Sequence, residues 1–314
     1  MPPRVMTVTG PVPPEQLGLT DAHSHVWIDP PPGVPPGAPV LNQPDLILAE
    51  LLDYRQAGGG AQIDCQPGGC GRDGRRLRAL SLSSGVQIVA STGFHLQRYY
   101  PADAPLWKLD AEGAAAYFLD EIQQGLQETQ ATSAVVYPGL IKIAVHETLE
   151  ASPRQLLEAA AFASLESGYA LEMHTQQGVG VEAFVEFFRR QHVDLGRLVI
   201  CHIDKRPDAG LHTELAQAGI MLEYDTFFRP KYQPEQNLWP LITSMLAGGW
   251  AGSLALATDL ADGALWQRIG GGPGLLGFAV EIKRRLEDMQ IRPEVVSGLL
   301  GNNIASRLAV NLKE

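Results

Sequence analysis

The sequence predicts an α/β fold, a (β/α)8 TIM barrel with a metal site at the C-terminal ends of its strands. Three observations predict it. Short apolar strands alternate with helical segments, several of those strands end in or beside a His or Asp, and the first of them carries a His-x-His pair. Alternating strands and helices mark α/β architectures, and barrel chemistry gathers at the C-terminal rim. The alternative is a doubly wound open sheet, but no Gly-x-Gly-x-x-Gly follows a strand. At 314 residues, with 45% hydrophobic and 19% charged residues, the chain is expected to form one domain, 1–314.

The elements follow in order. Thr7 to Pro11 reads as a short strand and turn leading into Thr20-Asp21-Ala22-His23-Ser24-His25. Side chains alternate along a strand, so His23 and His25 share a face. Pro30 to Pro39 is a surface loop, because proline lacks a ladder donor. A helix starts at Pro44-Asp45 and runs to Gly58–Gly60, followed by strand Ala61–Cys65, a loop holding Gly71-Arg72-Asp73, helix Arg75–Ser83 and strand Val86–Ala90. The long aromatic loop Gly93–Leu109 reads as functional.

Helix Asp110–Thr129 comes next, then strand Gly139–Val145, helix Pro153–Ser167, strand Ala170–His174 and helix Val181–Gln191. Strand Leu198–His202, helix Leu211–Ala218, strand Ile220–Tyr224, helix Leu238–Leu246 and strand Ser253–Asp259 follow. A helical region from Phe278 onward closes the chain. With the His-x-His strand this makes about eight strands. Gly270 to Gly274 lack the Lys-Ser/Thr of a phosphate loop and are expected to form a flexible lid over the barrel mouth.

Composition excludes several partners. A net charge of -11 argues against a nucleic-acid partner. No apolar run reaches the roughly 18 residues that span a bilayer, and Met1–Pro14 lacks a signal-peptide core. Three cysteines cannot build a disulfide framework, and the Cys65/Cys70 spacing fits no common zinc motif, so a cytoplasmic location is expected. The expected partner is a small-molecule substrate, with a homodimer as the candidate assembly.

The strand ends deliver candidate ligands: His174 from Leu171-Glu172-Met173-His174, His202 from Leu198-Val199-Ile200-Cys201-His202, and Asp259 from Leu254-Ala255-Leu256-Ala257-Thr258-Asp259. Lys142 lies inside the apolar strand Leu140-Ile141-Lys142-Ile143-Ala144. A buried lysine must be paired, neutral or modified. It is either ion-paired with a carboxylate or carboxylated by carbon dioxide to a carbamate with two oxygens. His95, His146, His192 and His212 fall outside this pattern and read as surface or loop histidines.

With these residues in view, the chain resembles the phosphotriesterase family of the amidohydrolase superfamily. Besides the strand-end residues, the matching elements are Gly71-Arg72-Asp73, Ser91-Thr92-Gly93-Phe94-His95, Met173-His174-Thr175, Cys201-His202-Ile203-Asp204 and the tail Asn302–Leu308. Ser24 departs from the Glu of many members, but its side chain should point away from the site. The resemblance implies a hydrolase with two divalent metal ions. His23, His25 and Asp259 would hold the more buried ion, His174 and His202 the more exposed one, with N6-carboxylated Lys142 and a hydroxide between them. Zinc is the default; Mn, Co or Fe also suit a mixed nitrogen and oxygen site. Asp259, as both ligand and general acid/base, is the candidate catalytic residue.

Family members hydrolyse organophosphate triesters, lactones and phosphorylated sugar lactones. Lys205, Arg206, Arg229, Lys231 and Tyr232 form a candidate anion-binding set, or else a solvated patch; Tyr99 and Tyr100 either line the pocket or pack the loop. The expectation is a lactonase acting on a phosphate- or carboxylate-bearing lactone. The alternatives are an organophosphate triester hydrolase, an amidohydrolase acting on a cyclic amide, a metal-loaded binding protein, and a purely structural barrel.

Overall fold

The computed structural model describes residues 2–312; Met1, Lys313 and Glu314, the ends of the expected 1–314 domain, lie outside the described residues. A hairpin of β1 (Val5–Thr7) and β2 (Gly10–Val12) comes first. Eight strands then stand side by side in chain order: β3 (Leu19–Ser24), β4 (Gly59–Asp64), β5 (Gln87–Gly93), β6 (Leu140–Ala144), β7 (Leu171–His174), β8 (Leu198–Cys201), β9 (Met221–Tyr224) and β10 (Leu254–Leu256). Neighbours pair in parallel throughout. The ring closes between β10 and β3, where Asp259 N–H donates to the His23 carbonyl at 2.8 Å. There the Asp21 carboxylate also accepts from the Thr258 N–H at 3.0 Å and from its hydroxyl.

Seven helices follow β3 to β9 in turn: α1 (Pro44–Gln56), α2 (Gly74–Ser84), α3 (Ala111–Gln124), α4 (Arg154–Ser167), α5 (Val181–Arg190), α6 (Ala209–Gln217) and α7 (Leu238–Ala247). Side-chain caps explain several starts. Asp73 accepts from the N–H groups of Arg75 and Arg76 at 2.9 and 3.2 Å, and Asp208 caps α6 two residues earlier than the apolar pattern suggests. Helix α3 ends before Thr129 because Gly125, at φ 97°, turns the chain out of the helix. After β10 the helical region starts at Gly274 rather than Phe278 and passes through a π-helical turn, Gly277–Ile282.

The barrel interior is filled by small and branched side chains, among them Ala61, Ile63, Val89, Leu140, Val199 and Ala255; Ile304 and Leu308 of the terminal helix Asn303–Leu308 join the same cluster. Asn303 Nδ2 fixes that helix to the carbonyls of Ala251 and Leu254, both at 2.8 Å. The Gly93–Leu109 loop is packed rather than open, with Phe94 and Tyr100 against Trp107 at 6.2 and 5.5 Å between rings.

The expected lid is not a lid. Buried Glu50 of α1 accepts from the backbone N–H groups of Arg268 and Leu275 at 2.8 and 2.9 Å and holds the Gly270–Gly274 segment against α1. A buried carboxylate satisfied by main-chain donors is expensive to release. No helix among the described residues is long and apolar enough to cross a membrane.

His212 is also not a surface histidine. Its Nδ1 meets the Tyr224 hydroxyl at 2.6 Å and its Nε2 the Arg206 carbonyl at 2.9 Å. A carbonyl only accepts, so Nε2 carries the proton and Nδ1 accepts from Tyr224. Burial lowers its pKa from 6.5 to about 4. A depressed folded-state pKa gives stability that is present above pH 6.5 and lost as pH falls towards 4, at most about 3 kcal/mol. The Tm of wild type should therefore fall more steeply between pH 7 and 4 than that of His212→Gln. Parallel profiles would show that His212 stays neutral for no energetic reason.

Candidate metal centre

The candidate ligands meet at the C-terminal rim. Along β3 the alternation carries His23 inward, and His25 follows just past the strand end. Their Nε2 atoms each lie 3.8 Å from Asp259 Oδ1. Nδ1 of His174 and Nε2 of His202 face each other at 3.0 Å. Ligating atoms of His23, His202 and Asp259 fall within 4.8 Å of one another. His202 and Asp259 reach these positions from a left-handed backbone, at φ 62° and 49°. Such conformations cost non-glycine residues energy and concentrate at functional sites.

What the outer nitrogens do decides whether this cluster suits a cation. His23 Nδ1 lies 3.2 Å from Glu223 Oε2, His25 Nδ1 2.9 Å from Gln66 Oε1, and His202 Nδ1 2.6 Å from Asp225 Oδ2. Each oxygen accepts, so each Nδ1 is the donor and each Nε2 presents its lone pair. Burial, helped by neighbouring positive charges, lowers the pKa values of His23, His174 and His202; His25 falls to about 4 despite the opposing pull of Asp259. In His23, His25 and His202 the lone pairs are thus free, and such imidazoles beside a carboxylate are a donor set suited to a divalent metal.

Lys142 is wholly buried, its Nζ 2.8 Å from Glu172 Oε1 and 3.4 Å from His23 Nε2. Burial opposes its charge, but Cys201, Cys65, Glu172 and Glu223 outweigh that and raise its pKa. The amine thus reaches a carboxylate at 2.8 Å and sits beside His23, one of the candidate ligands. Glu172 and Glu223, which hold the floor of the site, escape the strand-end rule. The signal was there in the period: Glu172 shares a strand face with His174, and Glu223 shares one with Asp225.

Above the rings lies a cavity of about 120 Å³, lined among others by Pro30, Pro39, Cys70, His95, Tyr99 and Ala261. The proline-rich loop thus forms one wall. No residue of the Gly270–Gly274 segment lines it. His95 is corrected from a surface or loop residue to a buried wall residue; His192 is exposed and His146 half-buried. Tyr100 does not line the cavity: it is buried against Trp107, its hydroxyl accepting from the His95 N–H at 3.0 Å.

Arg206 pairs with Glu182 at 2.9 Å and does not line the cavity. Arg229 reaches Asp259 instead of open solvent, donating to Oδ2 at 3.0 Å and to its backbone carbonyl. Lys205 and Lys231 both lie over the Tyr232 ring, at 5.6 and 4.9 Å. Lys205 is also 3.9 Å from Asp225.

The family model of the phosphotriesterase family matches residues 3–278. The chain belongs to the phosphotriesterase family. That family is binuclear and metal-dependent, and the rim cluster supplies donors suited to metal. An N-acetyltaurine hydrolase of Tetraodon nigroviridis is 28% identical over 71% of this chain and 72% of its own length. A phospho-furanose lactonase of Mycoplasmopsis synoviae is 26% identical over 98% of this chain and 92% of its own. The crystal structure of a lactonase from Listeria monocytogenes superposes with a TM-score of 0.88 at 21% identity, covering 99% of this chain and all of that one. This last likeness concerns the barrel itself.

Replacing Asp225 by Asn weakens the hold on the His202 Nδ1–H. Metal titration against a competing chelator should show about 10- to 100-fold lower affinity for one ion, with the fold intact. Unchanged affinity would remove Asp225 from the site.

Proposed function

We propose that this member of the phosphotriesterase family is a metal-dependent hydrolase that opens a lactone bearing an anionic group. His23, His25 and Asp259 would hold the more buried ion and His174 and His202 the more exposed one, with Lys142 carboxylated between them. Zinc is the metal best suited to this nitrogen-rich set. When bound, the two ions supply a hydroxide at neutral pH and polarise the scissile carbonyl.

The chain supplies the rest. Asp259 takes the proton released at the nucleophile and returns it to the leaving oxygen. Arg229 keeps that carboxylate and its left-handed backbone in place, which makes it a positioning residue more than a free anion hook. The three cysteines are free and buried, which supports a reducing, cytoplasmic location.

The observation that carries the anionic substrate is the pair of lysines over Tyr232, Lys205 also 3.9 Å from Asp225, on an acidic protein. A neutral triester gains nothing from such cations. Both named relatives fit the same pattern: N-acetyltaurine is a sulfonate and a phospho-furanose lactone a phosphate. The first of them keeps a second reading open, hydrolysis of an amide with an anionic tail.

Metal-reconstituted enzyme should turn over a phosphorylated lactone faster than a neutral lactone, N-acetyltaurine or a phosphotriester. Preference for N-acetyltaurine would select the amide reading, and preference for the triester would refute the anionic one. Asp259→Asn should lower kcat by about 10²- to 10⁴-fold. The double variant Lys205→Met, Lys231→Met should raise KM for the phosphorylated lactone about tenfold or more and leave the neutral lactone unaffected. Equal effects on both substrates would place the lysines outside the anion site.

A further inference from the structure

We infer that His95 is a catalytic residue that donates a hydrogen bond from Nε2 to the scissile carbonyl oxygen of the substrate, its tautomer set by the backbone of Leu96. The inference rests on the hydrolase reading above. His95 is a buried residue, it lines the cavity, and no metal-ligand role is required of it.

The tautomer follows from one contact. The Leu96 N–H points at His95 Nδ1 at 2.7 Å. A backbone N–H only donates, so Nδ1 must be the acceptor, and the ring proton of the neutral imidazole sits on Nε2. No acceptor for Nε2 is within hydrogen-bond distance among the described residues, and the ring borders the cavity. A protonated Nε2 cannot ligate a metal. This separates His95 from His23, His25 and His202, whose Nδ1 protons are taken by oxygens and whose Nε2 lone pairs are free.

The ring is held in place on several sides. Tyr99 packs against it edge-on with 4.8 Å between ring centres, and the Tyr100 hydroxyl accepts from the His95 backbone N–H at 3.0 Å. Its centre is 5.1 Å from that of His174 and 6.5 Å from that of His25. It therefore approaches the centre through these two rings, whereas Asp259 approaches through His23 and His25 at the carboxylate. Asp259 already accounts for the proton that reaches the leaving oxygen. The other atom whose charge grows, as hydroxide adds to the ester carbon and its C=O π pair moves onto oxygen, is the carbonyl oxygen. A fixed donor stabilises that charge without reorganising, and one such donor contributes about 10²- to 10³-fold to kcat.

Three substitutions in the metal-loaded enzyme test this. His95→Phe removes the donor, His95→Gln keeps an N–H at about the distance of Nε2, and His95→Asn places one nearer the backbone. The expected result is a loss of about 10²-fold or more in kcat for His95→Phe on phosphorylated and neutral lactones alike. KM and metal stoichiometry should stay as in wild type. His95→Gln should recover about tenfold or more, and His95→Asn should not.

Loss of a metal ion in His95→Phe would make the residue a ligand and overturn the proposal. A KM effect confined to the anionic lactone would make it an anion contact, and unchanged kcat would make it wall packing. Nitrogen-15 NMR of wild type against His95→Gln provides a readout independent of turnover, and a proton on Nδ1 overturns the proposal whatever the substrate. Wild-type enzyme inactive on lactones and amides alike would instead overturn the hydrolase reading, and the role of His95 with it.

Discussion

An imidazole can offer a lone pair to a cation only when its other nitrogen carries the proton, and in His23, His25 and His202 that proton is held by Glu223, Gln66 and Asp225. Without those oxygens the rings would be free to flip or to adopt the other tautomer, and the cluster would lose its shared direction. The barrel makes this arrangement possible. Glu223 and Asp225 come from β9 and its end and Gln66 from the loop after β4, so the sheet register sets ring orientation as well as ring position. His95 inverts the scheme: a backbone donor occupies its Nδ1, and the same ring type becomes a donor towards the cavity.

Two rim residues accept a strained backbone to reach the site. His202 and Asp259 both follow a strand at positive φ, and each is fastened afterwards. The His202 N–H donates to Asp225 at 3.1 Å, so one carboxylate fixes both backbone and ring. The Asp259 N–H closes the barrel onto His23, while Arg229 holds its carbonyl and carboxylate. Strain of this kind persists only where several contacts oppose its release.

The barrel and its strand-end histidines were legible because both depend on short-range period. Strand alternation pairs His23 with His25, and the β/α rhythm gives eight strands in chain order. Features set by tertiary contact were not legible. Nothing local to Gly270–Gly274 announces that Glu50, far away in sequence, will pin it, and nothing local to Arg206 announces Glu182. His212 and His95 looked like surface or loop residues because the groups they meet, Tyr224 for the one and the His174 and His25 rings for the other, are distant in sequence. Glu172 and Glu223 are a different matter. Their strand parity points them inward: Glu172 stands two positions before the rim histidine His174, and Glu223 two before Asp225, which holds the His202 ring.

Those two glutamates also set the charge that Lys142 faces. Carboxylates this deep need a positive partner, and burial together with Glu172 raises the Glu223 pKa well above its usual range. In this structure the Lys142 ammonium, 2.8 Å from Glu172, is that partner. Carboxylation would turn the same side chain from cation to anion and leave both glutamates uncompensated unless positive charge arrives with it. Under the proposed function, two divalent ions would bring four positive charges against three negative ones on Asp259, a carbamate and a hydroxide, and so would supply the missing compensation. On that proposal, a carboxylated Lys142 without metal is the one combination this floor would disfavour.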